Sequence, residues 1–98
     1  MKAILAEAAR QELADAVAYY RAQDRALGDS FLTEFLAAVA RIEEYPEAWQ
    51  PLSVNTRRCR LRRFPYGLIY RPSGETALII AVAHLHREPD YWRDRQQQ

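Results

Sequence analysis

Apolar residues recur along this chain first at a helical period and then at a strand period, and the change falls near residue 56. Ala9, Leu13, Ala16, Val17 and Tyr20 recur at i, i+4, i+7, i+8 and i+11, which is one face of an α-helix. The alanines between them favour the helix, and Gln11, Glu12, Asp15 and Arg21 fall on its other faces. Residues 22–28 read as a short connection. A second helix follows with Asp29 or Ser30 at its N-cap, and Phe31, Leu32, Phe35, Leu36, Val39 and Ile42 form its apolar stripe. Pro46 ends it, because the residue before a proline is biased away from helical geometry. So short a link makes the two helices an antiparallel hairpin.

Lys2–Leu5 is short and apolar enough to open a sheet. Residues 46–56 are irregular, with two prolines and Trp49. Beyond them the period becomes two: over 57–64, Cys59 and Leu61 alternate with Arg58, Arg60 and Arg62 as in a strand. Pro65 interrupts, and residues 66–71 form the next strand. Pro72, Ser73, Gly74 and Glu75 make a turn in which Gly74 takes a positive φ. Residues 76–85 are almost wholly apolar and β-prone, the mark of a central strand covered on both faces. Pro89 starts a last helical turn through Tyr91 and Trp92, and 96–98 should fray. The expected architecture is α+β, in the order β-α-α-β-β-β. A helical hairpin lies on a small antiparallel sheet, and a short C-terminal helical tail follows.

Ninety-eight residues make one domain, 1–98, too small to bury much more than ~60% of its unfolded surface. A partner covering an apolar face would therefore add stability. The single cysteine, Cys59, excludes an intramolecular disulfide framework and suits a reducing cytosol. No stretch approaches the ~20 apolar residues of a membrane span and no leader-like segment opens the chain, so a cytoplasmic protein without membrane contact is expected. The net charge of +1 conceals an uneven distribution. Residues 1–56 carry five Lys/Arg against nine Asp/Glu, and residues 57–98 carry nine against four. Arg57, Arg58, Arg60, Arg62 and Arg63 are the densest part. Such a stripe attracts an acidic protein segment or nucleic acid, or else protects a solvated sheet edge from association.

Other chemistry is sparse. His84 and His86, with Glu88 and Asp90, are at most a fragment of a metal-ligand set, so neither a metal nor a cofactor is expected. Ser53, Thr56 and Cys59 show no spacing with a base that would mark a covalent nucleophile. The three glycines, Gly28, Gly67 and Gly74, form no phosphate-binding loop.

Four strings carry a resemblance: "EAARQELADAVAYY", "GDSFLTEFLAAVARIEEYPEAW", "RRCRLRRFPYGLIYR" and "AVAHLHREPDYWRDR". In this order they resemble the RelE/ParE superfamily of type II toxins, and the arginine-rich strand running into Phe-Pro-Tyr resembles its ParE-like branch. The resemblance spans nearly the whole chain. It implies a toxin paired with a cognate antitoxin, whose acidic, amphipathic C-terminal segment wraps it in a hetero-oligomer. It also implies one of two activities, inhibition of DNA gyrase by binding in the ParE-like branch or ribosome-dependent messenger RNA cleavage in the RelE-like branch. An inactive relative serving only as an antitoxin-binding or autorepression module is the third reading.

Metal-free RNA cleavage must deprotonate a 2′-hydroxyl, stabilise the phosphorane and protonate the leaving oxygen. Carried over from RelE-like nucleases, the two lysines that serve this chemistry fall at Arg58 and Arg60, and arginine is a poor general base. One arginine falls at Gly67, another at Leu85 with His84, His86 and Arg87 adjacent, and the tyrosine is kept as Tyr91. This pattern favours the gyrase reading. The candidate nuclease group is Arg58, Arg60, His86, Arg87 and Tyr91. The candidate antitoxin- or target-binding set is Arg58, Arg60, Arg62, Arg63, Tyr66, Tyr70, Arg87, Tyr91 and Trp92.

Overall fold

The computed structural model describes residues 1–97. Strand β1 (Lys2–Leu5) leads into helices α1 (Glu7–Gln23) and α2 (Arg25–Glu44). Strands β2 (Gln50–Pro51), β3 (Arg57–Arg60), β4 (Tyr66–Ser73) and β5 (Thr76–His84) follow, and a 3-10 turn spans Arg93–Gln97. The strands form one sheet in the order β1-β5-β4-β3-β2. The expected α+β arrangement holds, with one refinement: β1 pairs with β5 in parallel, Lys2 opposite Thr76 and Leu5 opposite Ile79. These two strands are separated by the whole hairpin and the intervening strands. A long crossover permits parallel pairing, as no tight turn does.

The helices are longer and closer in sequence than their apolar stripes imply. The connection is Asp24 alone, whose carboxylate accepts from Ala26 N at 2.9 Å and caps α2. Asp29 lies inside α2 and pairs instead with Arg21 of α1 at 2.9 Å. Gly28 permits this closeness, because a Cβ there would stand 2.0 Å from Arg21 Cγ and 3.0 Å from the Val17 carbonyl. Other expected bounds also move. The arginine strand ends at Arg60, since Leu61 N already donates to Tyr66 O across a tight turn. Leu36, expected in the apolar stripe, is 57% exposed. Residues 46–56 contribute the two-residue β2. Asp90 takes a left-handed φ of 68°, so the tail turns there and becomes helical only at Arg93. Of the frayed end expected at 96–98, Gln98 lies outside the described residues.

Both faces of the sheet are covered. Towards the helices, Ala9, Ala16, Phe31, Phe35, Ala38 and Ile42 pack on Cys59, Leu61, Leu68, Tyr70, Ile79 and Val82. On the outer face, Ile69, Ile80, Ala81 and Ala83 are covered by Trp92, with Leu52, Leu78 and Tyr91 around them. Ile69 faces Ala81 while Tyr70 faces Ile79, so Ile80 is an extra residue in β5 and both Ile80 and Ala81 reach the outer cluster.

Three helix glutamates complete the backbone hydrogen bonding of the sheet. Glu43 accepts from Ala3 N at 2.8 Å on the outer strand β1. Glu34 accepts from Arg62 N at 2.9 Å and Arg63 N at 3.2 Å, in the turn after β3. Glu12, expected on a solvent-facing side of α1, accepts from Val82 N at 3.0 Å where β5 outruns β1. Buried N–H groups must find acceptors, and where a strand has no neighbour a carboxylate stands in for it.

Candidate functional site

The basic residues of the second half do not act as one stripe. Arg63 turns to Glu34, its Nε 3.2 Å from Oε2. The N–H groups of Arg63 and Arg62 and the Arg63 guanidinium hold the Glu34 carboxyl below its ordinary pKa, against the opposing effect of burial. Arg58 and Arg60 are two apart on β3 and face away from the helices, beside Ile69 and Gly67. Gly67, which the carry-over leaves chemically empty, has a physical use: a Cβ there would lie 2.9 Å from both Cγ and Cδ of Arg58. The missing side chain leaves room for the Arg58 stem against β4, and its Nη2 donates to Gln50 Oε1 on the neighbouring β2 at 2.7 Å. Burial, then the nearby charge of Arg60, lowers the Arg58 pKa. Its Nε is buried without a hydrogen-bond partner among the described residues.

Arg58, His84, Arg87 and Tyr91 line a cavity of about 170 Å³ together with apolar Leu52, Ile69, Ala83 and Trp92 and acidic Glu88 and Asp90. This assembles much of the nuclease group, but not its reacting atoms. The Tyr91 hydroxyl donates to Glu12 Oε2 at 2.8 Å, and Arg95 Nη1 binds the same carboxylate at 2.8 Å. Burial and the Glu12 hydrogen bond push the Tyr91 pKa far above its ordinary value. The Arg87 guanidinium lies 4.2 Å from the Tyr91 ring centre, covering it. His84 ends β5, and its ring lies 5.3 Å from that of exposed His86, which belongs to the following turn. His86 N donates to His84 Nδ1 at 3.0 Å. Arg60 lies outside this cavity, on the β3 edge. Among the described residues no cluster of His, Cys, Asp and Glu could hold a metal ion, and no helix is long and apolar enough to cross a membrane.

The aromatic candidates separate clearly. Tyr70 is fully buried, its hydroxyl donating to the Pro46 carbonyl, and burial raises its pKa to about 12. Trp92 is 4% exposed and belongs to the outer core. Tyr66 is half-buried, packed edge-on to Phe31 and His84 at 4.9 and 5.0 Å. Exposed apolar surface lies elsewhere. Tyr19, Leu36 and Tyr45 are each more than half exposed. An open groove of about 700 Å³ runs along α1, floored by Leu13, Ala14, Val17, Ala18 and Leu32, with Arg10 and Arg21 at its sides. The only sequence signal for it is a stripe on α1 and α2 wider than one sheet face can cover.

Comparison with known proteins agrees with this architecture. Among curated proteins no match is found. A solved structure from the chromosomal ParDE TA system of P. aeruginosa superposes with a TM-score of 0.64 at 14% identity, covering 86% of this chain and 95% of that one. The likeness establishes the shared fold. Residues 3–89, which take in the hairpin, the sheet and the arginine stripe, match the family described as the ParE toxin of the type II toxin–antitoxin system parDE, and the chain belongs to that family.

Proposed function

We propose that this chain is a toxin that inhibits DNA gyrase by binding, and that a cognate antitoxin neutralises it by covering the α1 groove with an amphipathic acidic segment. The observation that carries the first part is the commitment of the Tyr91 hydroxyl. A nuclease would need that group free to exchange a proton at RNA, whereas here it is a donor to Glu12 beneath the Arg87 guanidinium. With Gly67 empty and arginines in place of lysines, the outer face offers charge and shape but few proton-transfer groups. The apolar floor with Arg10 and Arg21 beside it supports the second part, since such a groove suits a segment that folds on binding. The structural match to a protein of a ParDE TA system is consistent with an antitoxin partner.

The test is a supercoiling assay with purified gyrase and plasmid. The chain should block supercoiling and trap cleaved DNA, the antitoxin should reverse this, and Tyr91→Phe should inhibit as the wild type does. An inert chain in that assay, combined with ribosome-dependent cleavage of messenger RNA that Tyr91→Phe abolishes, would sink the proposal. One feature favours that nuclease reading: the His84 and His86 rings pair at 5.3 Å, and His84 shares its cavity with Arg87 and Tyr91.

A further inference from the structure

The edge of β3 holds a cluster of charge that the fold does not neutralise. Arg41, Arg58, Arg60 and Arg62 surround an open hollow of about 380 Å³, with half-buried Trp49 and the side of Leu61 as its floor. Carboxylates at Asp29, Glu34, Asp90 and Glu12 pair with Arg21, Arg63, Arg93 and Arg95 instead. None of the four hollow-lining arginines has a carboxylate partner among the described residues. Two are nevertheless held in place by neutral acceptors. Arg41 Nη2 donates to the Arg60 carbonyl at 2.8 Å, its guanidinium 5.9 Å from the Trp49 ring, and Arg58 Nη2 donates to Gln50. Like charges oriented together without counter-charge oppose folding, and they form a ready-made receptor for an anion.

The surroundings select the kind of anion. A polypeptide would bind this edge through main-chain pairing or through apolar anchors in pockets. Main-chain pairing is obstructed, because the Arg41 guanidinium covers the Arg60 carbonyl and Glu34 takes the N–H groups of Arg62 and Arg63. Apolar anchoring has little to hold, since Leu61 is buried and the exposed apolar groove lies on α1 instead. A phosphodiester chain needs neither. It offers a row of charges that guanidinium groups bind bidentately. On β3, Arg58 and Arg60 stand about 6.6 Å apart, two strand residues. Trp49 adds an aromatic surface of the kind on which bases stack.

We propose that Arg41, Arg58, Arg60 and Arg62, with Trp49, form a binding site for the phosphodiester backbone of nucleic acid. The site goes beyond the reading above and holds whether or not gyrase is the target, because it requires only the isolated chain. If gyrase is the target, its bound DNA becomes a second surface for the toxin to grip.

The test is fluorescence anisotropy of the purified chain with labelled 20-mers of duplex DNA, single-stranded DNA and RNA, between 50 and 200 mM salt. With three phosphates engaged, the slope of log K against log salt on duplex should be about −2.7, a loss of roughly 40-fold in affinity over that range. Arg60→Gln and Arg62→Gln alter exposed side chains and should each flatten the slope by about one, with unchanged circular dichroism. A preference for single strands that Trp49→Phe diminishes would assign the ligand to unpaired nucleic acid, and equal affinities would assign it to the backbone alone. Absence of binding at 50 mM salt overturns the proposal. So does binding that both variants leave intact, or a polyglutamate competitor that binds more tightly than every nucleic acid and shows the same dependence on Arg60 and Arg62.

Discussion

Replacing Glu12 by alanine removes a carboxylate that three groups share as an acceptor. Its oxygens accept from Val82 N at 3.0 Å, from the Tyr91 hydroxyl at 2.8 Å and from both terminal nitrogens of Arg95 at 2.8 and 3.2 Å. The pair is shielded, with the Glu12 and Arg95 side chains 17% and 22% exposed. Breaking a buried pair by deleting one partner costs about 3–5 kcal/mol, largely from the charge left behind. An unsatisfied buried N–H adds about 1–3 kcal/mol. The terms overlap, and Arg95 keeps its 3.1 Å bond to the Ile80 carbonyl, so a total loss of about 3–4 kcal/mol is expected. In a domain of this size that corresponds to a fall in Tm of roughly 15–25 °C. The assay is urea unfolding of wild type, Glu12→Ala, Arg95→Ala and the double variant. Because the double variant carries no orphaned charge, it should be more stable than the sum of the single losses predicts by about 1.5–3 kcal/mol. Additive losses, or a Glu12→Ala cost below about 1 kcal/mol, would refute the claim that Glu12 ties α1, the open edge of β5 and the tail together.

Other expectations follow from particular contacts. Gly28→Ala should destabilise by about 1–3 kcal/mol in thermal unfolding although alanine is the better helix former, because the added Cβ meets Arg21 and the Val17 carbonyl. Gly67→Ala should displace Arg58 from Gln50, read as a shift in the Arg58 guanidinium NMR signals, with stability changed by less than about 1 kcal/mol. Burial raises the Tyr70 pKa to about 12, so the folded state holds that proton more tightly than the unfolded state does. Its stabilising effect is complete below pH ~10 and is lost as pH rises to ~12. A phenolate absorbance titration should accordingly show Tyr70 ionising together with unfolding, and Tyr70→Phe should remove that part of the alkaline transition. Glu34, held below its ordinary pKa by Arg62 and Arg63, stabilises above its unfolded pKa of ~4.3 and less as pH falls below it. Glu34→Gln should therefore shrink the acid-side loss of stability measured by urea unfolding.

The hydrophobic pattern made the hairpin and strands legible because apolar side chains announce their own burial. Phe31, Phe35, Ala38 and Ile42 are buried as their spacing requires, and Cys59 and Leu61 point inward between arginines as alternation requires. What the pattern missed is polar. Glu12 reads as solvent-facing from α1 alone, and only its meeting with Val82, 70 residues away, reveals its use. Glu34 and Glu43 likewise serve backbone groups 28 and 40 positions distant. The uneven charge of the two halves, read as a partner signal, is in part internal: acidic helices serve a basic sheet through Glu12–Arg95 and Glu34–Arg63. The α2 start was misplaced because Asp24 and Asp29 are equally good caps by residue type, and the close approach at Gly28 settles the choice in three dimensions. How the candidate residues group in space was not legible in the sequence. Tyr70 and Trp92 are core, Arg63 is spent on Glu34, and the remaining stripe joins Arg41 and Trp49, which lie outside it in sequence.

The most direct test of the account is pulse labelling of DNA and protein synthesis in the first minutes after this chain alone is induced in bacteria. A gyrase inhibitor should halt DNA synthesis first and raise the DNA-damage response, with rescue on co-expression of the antitoxin. Protein synthesis failing first, with DNA synthesis following later, would contradict the account and make His84, His86, Arg87 and Tyr91 an active site.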